Sequence, residues 1–416
     1  MDMLQQWWFR LKTIFKRLSV RATLFALLAL VSSLAAVLFD EYVPNEFANL
    51  AGSDAVDGII STMASSMLIV ATFAVSTMVS AYSVATQQAT PRATSLIKDD
   101  SDSHLAISIF IGAFVYSIVS LVALQTEYYG SKGRVILLIF SVIVLISVLW
   151  ALIRWVDEVR NMGSVQTSIK KVECVVMKAL QDRSKRPNFD CSPLKNYPKE
   201  AQELASPVIG HIQNIDVSHL HKICTESKLS IYVTREVGSF VHPSQTLALV
   251  KSEGGHLDDK VKKDILEAFA IGSSRTFDAD PLYGITVLSG IGIKALSPSL
   301  NDPGTAVDVV GSLVRVLHCW KLEAEECPVK YKHVYFPELK ISQLFHEAFY
   351  HLSVHGSRDL QVSESLKSAF EIFLQDTDKE VRSASGKHLD RLLSRTQEEL
   401  TFGPDQERLQ RQGLRH

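Results

Sequence analysis

Four stretches of this chain carry no charged side chain, and they confine its first third to a lipid environment. Ala22 to Phe39 runs for 18 residues, Gly58 to Pro91 for 34, Leu105 to Thr126 for 22 and Val135 to Ile153 for 19. A bilayer core takes roughly 20 apolar helical residues. A cleaved leader fits the first stretch poorly, because Asp40, Glu41, Tyr42 and Val43 follow it with no small-residue cleavage pattern. The sequence therefore predicts an α-helical membrane domain over residues 21–156, with transmembrane helices at about 22–39, 59–86, 105–126 and 135–153. The overall 47% hydrophobic content averages this region with an ordinary soluble remainder. The net charge of −2 leaves no basic field for nucleic acid, so no nucleic-acid partner is expected.

Flanking charge sets the orientation. Arg10, Lys12, Lys16, Arg17 and Arg21 precede the first span, whereas the loop after it holds Asp40, Glu41, Glu46, Asp54 and Asp57 without a Lys or Arg. This places the N-terminus inside and, after four spans, the C-terminus inside as well. Trp7, Trp8, Leu11, Ile14, Phe15 and Leu18 recur at helical spacing opposite the basic residues. Residues 1–20 thus read as an amphipathic helix on the anionic inner leaflet, with a plain extension of the first span as the other reading.

The second stretch is both too long and too polar for a simple anchor. Its 34 residues would reach roughly 50 Å as a helix. Thr62, Ser66, Ile69, Phe73, Ser76, Ser80, Ser83 and Gln87 step by three or four along one face, hydroxyls interrupted by an apolar constriction. Such a face suits a water-filled pathway with a hydrophobic gate. It equally suits close helix packing, with hydroxyls bonded back to their own backbone. Pro91 stops or kinks the helix. No ionisable residue lies inside any of the four stretches, which argues against a proton-coupled pump.

Beyond residue 156 the chain has soluble character. Residues 157–204 read as a helix continuing from the membrane and a linker holding Pro187, Pro193 and Pro198. Residues 205–252 read as a small β-rich module with strands over 208–215, 229–233, 237–243 and 247–250. Its Gly238-x-Phe240-Val241-x-Pro243 turn is similar to that of biotinyl- and lipoyl-type modules, but no lysine sits in a modifiable hairpin, so a structural β-barrel-like module is expected. Residues 253–337 read as a helical core: an amphipathic helix over 257–271, an apolar helix over 282–296 capped by Asp280, and a third opened by Asp302 and Pro303. Residues 338–416 read as C-terminal helices. The fold expected is thus four transmembrane helices plus a cytoplasmic α+β domain.

The run Ala295-Leu-Ser-Pro-Ser-Leu-Asn301-Asp302-Pro303-Gly-Thr305-Ala306 resembles the DUF2254 family of bacterial membrane proteins. So do the Arg275-Thr276 segment, Gln88-x-x-Pro91-Arg92 and the Gly-x-Phe-Val turn at 238–241. Where the family pattern has a glutamine before Asp280, this chain has Ala279. The resemblance implies an integral inner-membrane protein and no particular chemistry.

Arg275, Asp278, Asp280, Asn301, Asp302 and Thr305 form the candidate ligand set. Carboxylates and an amide suit a hard cation, while Arg275 and helix N–H groups suit an anion. The competing reading is that Asp280 and Asp302 only cap helices. His346, His351 and His355 lack a common face and a cysteine partner, so no metal site is expected. The five cysteines show no paired spacing and read as reduced thiols. No phosphate-binding loop, dinucleotide fingerprint or nucleophile elbow occurs, so neither an enzyme nor a cofactor is expected. Together these readings predict a homo-oligomeric inner-membrane channel or transport protein, the second span lining its pathway and the cytoplasmic part gating it, with the lipid bilayer and a small ion or anion as partners. A membrane-anchored sensory or scaffolding protein is the alternative.

Overall fold

A computed structural model describes residues 18–38, 53–98, 101–125, 131–162, 164–252, 257–320 and 329–411. Residues 1–17 of the interfacial helix expected over 1–20, and most of the acidic first loop, lie outside the described residues. The chain divides into two compact units, residues 1–87 with 94–164, and residues 88–93 with 165–416.

The membrane unit holds α1 (Leu18–Leu38), α2 (Ser53–Gln88, bar its last residue), α4 (Ser101–Gln125) and α5 (Ser131–Met162), while α3 (Pro91–Lys98) is divided, its residues 91–93 counting with the C-terminal unit. Pro91 ends α2 and starts α3, and the Thr90 hydroxyl caps the new helix by accepting from the Ala93 amide at 3.2 Å. Among the described residues three helices are long and apolar enough to cross a bilayer: Val56–Gln87, Leu105–Gln125 and Lys132–Arg160. The apolar part of α1, Thr23–Ala36, is shorter. Ala29, Met67, Ala71, Ala74, Phe110, Ala113, Tyr116, Val148 and Ala151 share one core. Small residues bring the backbones close. At Gly112 a Cβ would sit 2.4 Å from the Phe25 ring, so only glycine admits that side chain from α1. The other face of α5 leaves Ile139, Ile143, Ile146, Leu149 and Ile153 exposed, a surface that needs an apolar solvent. Arg134 of α5 pairs with Asp57 of α2 at 4.0 Å, so these two helices begin at the same end of the bundle.

The C-terminal unit starts with α6 (Val165–Lys185), which buries Ile169, Val172, Val176 and Leu180 along one stripe. Next come β1 (Cys191–Pro193), β2 (Gln202–Ala205), β3 (Gly210–Ile215), α7 (Val217–Ser227), β4 (Leu229–Val233), β5 (Phe240–Val241), β6 (Thr246–Ser252), α8 (Asp259–Glu267) and β7 (Phe269–Gly272). Then follow α9 (Pro281–Ala295), α10 (Pro303–Trp320), β8 (Tyr331–Phe336), α11 (Ile341–Phe345), a π turn (His346–Tyr350) and α12 (His351–Gly356). The chain closes with α13 (Leu360–Leu374), α14 (Lys379–Glu399) and α15 (Gly403–Arg411).

The strands form two open sheets, ordered β1-β8-β4-β6-β2 and β5-β3-β7. The expected barrel is therefore not closed among the described residues. The physical reason is recruitment of distant strands. β8, from beyond α10, pairs in parallel with both β1 and β4, while β3 is flanked by β5 and β7. The helix expected over 257–271 also ends early. Phe269–Gly272 leaves it to pair antiparallel with β3, since an aromatic and a β-branched residue gain more as a strand against a partner edge than as a last helical turn.

α9 sits at the centre of the helical layer. Gly284, Ile285, Val287, Leu288, Ile291 and Ala295 are buried, which explains why its sequence is apolar all round. In the C-terminal hairpin the Ser385 hydroxyl donates to the Phe370 carbonyl at 2.7 Å, and His388 lies against the Phe345 and Phe370 rings.

Candidate functional site

The Arg-Thr segment and the glycine turn meet at the start of α9. Asp280 caps that helix by accepting from the Tyr283 amide at 3.0 Å. The same carboxylate takes a fork from Arg275, Nε to Oδ2 at 2.7 Å and Nη2 to Oδ1 at 2.9 Å. Asp280 is 2% exposed, so capping and pairing occur in a dry place where both count. Arg275 also lies over the Tyr283 ring, 5.2 Å from its centroid. Gly238 is the third member. Its φ of +90° and its closeness to the pair exclude a side chain, since a Cβ would stand 2.0 Å from Asp280 Oδ2. The Gly238 carbonyl is 3.1 Å from His211 Nδ1.

Beside this cluster a cleft of about 960 Å3 opens. Glu236, Val237, Gly238 and Arg275 form its floor, with Lys340, Gln343 and Lys379 on the opposing helices. Burial, reinforced by Asp280, raises the Glu236 carboxyl to about 7 against the pull of Arg183 and Lys340. Behind the floor lies a void of about 10 Å3 lined by Arg183, Glu236 and Asp280, room for about one water. Arg183 is only 7% exposed, and its Nη1 has no hydrogen-bond partner. Its guanidinium lies 4.0 Å from the Phe189 ring centroid and 5.3 Å from that of Phe336. Burial lowers this group to about 10, so it stays charged at neutral pH.

The six expected ligand residues do not converge. Arg275 and Asp280 stand at the start of α9 and Asp278 is exposed nearby. Asn301, Asp302 and Thr305 stand past the far end, where the Asp302 amide bonds the Ala295 carbonyl at 2.9 Å. The 15 residues of α9 separate the two groups by roughly 22 Å. Asn301 takes the left-handed φ of 47° that turns the chain into α10. Asp302 then accepts from the Thr305 amide at 3.1 Å and from its hydroxyl at 2.6 Å, which lowers the carboxyl's pKa. This second group is built as a cap. Arg183, Glu236 and Lys340 were not legible in advance. Each comes from a different segment, and no spacing rule joins them.

A second ion pair, with a buried carboxylate and an exposed guanidinium, ties α6 to α10. Arg315 donates from Nε to Glu173 Oε1 at 2.6 Å and from Nη2 to Oε2 at 2.8 Å, and Ser312 donates to Oε2 at 2.5 Å. The Arg315 fork leads the causes that lower the Glu173 carboxyl.

In the membrane unit the polar stripe of α2 faces outward. Thr62, Ile69, Phe73, Ser76, Ser80, Ser83 and Gln87 are exposed and Ser66 is half-buried, while Met63, Met67, Ala71 and Ala74 fill the core. Thr62 donates to the Gly58 carbonyl at 2.7 Å and Ser66 to that of Thr62 at 2.6 Å. Gln87 Nε2 donates to the Ser83 hydroxyl at 3.4 Å. Phe73 meets Trp155 edge to face, at 6.1 Å between centroids.

Comparison with known proteins agrees with the apolar helices and the motif run. A family model described as "Predicted membrane protein (DUF2254)" matches residues 16–371. The chain belongs to this family. It is also similar to uncharacterized proteins of Mycobacterium bovis and Mycobacterium tuberculosis, 30% identical over 122 residues in each case. Those matches cover 29% of this chain and 23% of the relatives, so the chain spans about a quarter of their length. No solved structure matches.

Proposed function

We propose that this DUF2254 member is a homo-oligomeric transport protein or channel of the bacterial inner membrane. In this reading α1 is a fourth span, both termini face the cytoplasm, and α2 helices from several copies line a shared pathway. The observation that carries it is the outward polar stripe of α2. Its 36 residues extend roughly 54 Å, and among the described residues most of the stripe from Thr62 to Gln87 is exposed, with Ser66 half-buried and Phe73 against Trp155. Hydroxyls facing lipid gain nothing there, whereas water or a neighbouring α2 would meet their remaining lone pairs. Cysteine substitution at Ser76, Ser80 and Ser83 tests it. Modification by a water-soluble thiol reagent, together with altered ion flux in liposomes, supports the pathway. Unreactive cysteines and no flux of any common ion, under varied voltage, pH and tension, would sink it.

A second reading rests on the cleft beside Arg275. Its size and buried charges suit a membrane-anchored sensor whose C-terminal unit binds a ligand. Ligand binding without flux would favour it.

A further inference from the structure

We infer that the cleft between Gly238, Arg275 and Lys340 binds a small organic anion through its phosphate or carboxylate group. The inference stands apart from the transport reading, since binding is measured without flux.

Three observations carry it. The volume of about 960 Å3 lies at the upper end of the range for small-molecule sites, and Val237, Leu282 and Leu339 offer an apolar wall for an organic body. The cations on the lining are available. Lys195, Arg235, Lys340 and Lys379 face the cleft, and none takes part in a salt bridge among the described residues. The floor is also electrostatically unfinished. Arg183 is buried with an unpartnered Nη1, and the carboxylate that acts on it, Glu236, is itself in a place that disfavours its charge. An uncompensated buried cation is costly, and an anion in the cleft offsets it.

Charge counting sharpens this. The lining and the wall behind it hold six cations against five carboxylates when Glu236 is ionised, and against four when it is protonated. Anion binding therefore favours protonated Glu236, and a proton is taken up with the ligand. The charged groups that act on Glu236 are Arg183 from α6, Asp280 ahead of α9 and Lys340 ahead of α11. Arg275 and Glu338 line the same cleft.

The test uses the full-length protein in detergent. Calorimetric titration with inorganic phosphate, a nucleoside monophosphate, a linear dicarboxylate and an uncharged nucleoside is run at pH 6 and pH 8. We expect at least one anion to bind, about tenfold more tightly at pH 6, and the uncharged nucleoside not to bind. Lys340→Ala with Lys379→Ala should weaken binding about tenfold while leaving the melting temperature of the free protein unchanged. Glu236→Gln should remove the pH dependence for the dicarboxylate, whose own charge is nearly constant between pH 6 and pH 8, unlike that of the phosphate probes. Binding of inorganic phosphate as tight as the organic anions would make the anionic group itself sufficient. Binding only of the nucleotide or the dicarboxylate would assign the apolar wall a share. No anion binding, or binding indifferent to the lysine substitutions, would overturn the site, and a pH dependence of dicarboxylate binding that survives Glu236→Gln would overturn the proton linkage.

Discussion

In α2, Thr72 donates to the carbonyls of Leu68 and Ile69, and Thr77 to that of Phe73, three or four residues back. In the C-terminal unit Glu173 accepts from Ser312 and Arg315, 139 and 142 residues further on. The difference follows from the solvent each unit is made for. A helix destined for hydrocarbon must satisfy its polar groups within itself before it meets a neighbour, and i−4 carbonyls are always within reach. A domain folding in water can leave polar groups hydrated until tertiary partners arrive, so its charged contacts can be distant in sequence. The first arrangement should therefore tolerate substitution better than the second.

Gly238→Val should break this comparison most visibly. It forces an L side chain to a φ of +90° and against the Arg275–Asp280 fork, at an expected cost of 3 kcal/mol or more. Loss of the cooperative urea transition of the C-terminal unit would be the readout. Gly58→Ala in α2, where a Cβ meets nothing within 4 Å, is the matched control and should be neutral or slightly stabilising. A mild effect at Gly238 would mean that the fork readily shifts and that the cleft floor is not rigid.

Arg315→Ala comes next. It leaves Glu173, 9% exposed, with Ser312 alone, and should cost about 1.5 kcal/mol in denaturant unfolding, because water screens the exposed guanidinium and takes its place when it is removed.

The two buried titratable groups should give opposite pH slopes. Glu236 has a folded pKa raised to about 7 by burial, so its folded form is favoured below about 4.5 and stability falls as pH rises from there through 7. Glu236→Gln should therefore gain about 2 kcal/mol at pH 8 and little at pH 4. Burial lowers His388 to about 4, so its contribution is present above about 6.5 and is lost as pH falls through 4. His388→Leu should flatten the acid side of the melting-temperature profile, and an unchanged acid side would remove His388 from the account.

The smallest effect belongs to α2. Thr77→Val exchanges a self-satisfied hydroxyl for a methyl and should change stability in detergent by less than about 0.5 kcal/mol. A loss of several times that would mean that the hydroxyl contacts a partner absent from the single chain.

Local signals were readable wherever a residue acts on its own neighbourhood. Asp280 with Pro281 marked the start of α9, Asp302 with Pro303 that of α10, and Pro91 the end of α2. The 3.6-residue spacing on α2 separated the outward polar stripe from the buried Met63, Met67 and Ala71. Signals failed where one strand needed another. Cys191–Pro193 looked like linker, Tyr331–Phe336 fell within the expected helical core, and Phe269–Gly272 looked like the end of a helix. Each became a strand because a partner edge was waiting, which periodicity within a segment cannot report. The candidate site was half legible for the same reason. Arg275 and Asp280 are five residues apart and could be paired on paper, whereas Arg183 and Glu236 are brought together only by packing α6 beneath the sheet and α9.

What the sequence by itself determined is the presence of membrane-spanning helices, their polar and apolar faces, and the helix caps. Charge absence, periodicity and capping are local, and the energies behind them act within one or two helical turns. Tertiary structure alone decided the two open sheets, the separation of Asp280 from Asp302 by the length of α9, and the cleft with its buried arginine and raised carboxyl. Those depend on which segments exclude water from one another, and desolvation belongs to the packed neighbourhood rather than to any single stretch of chain.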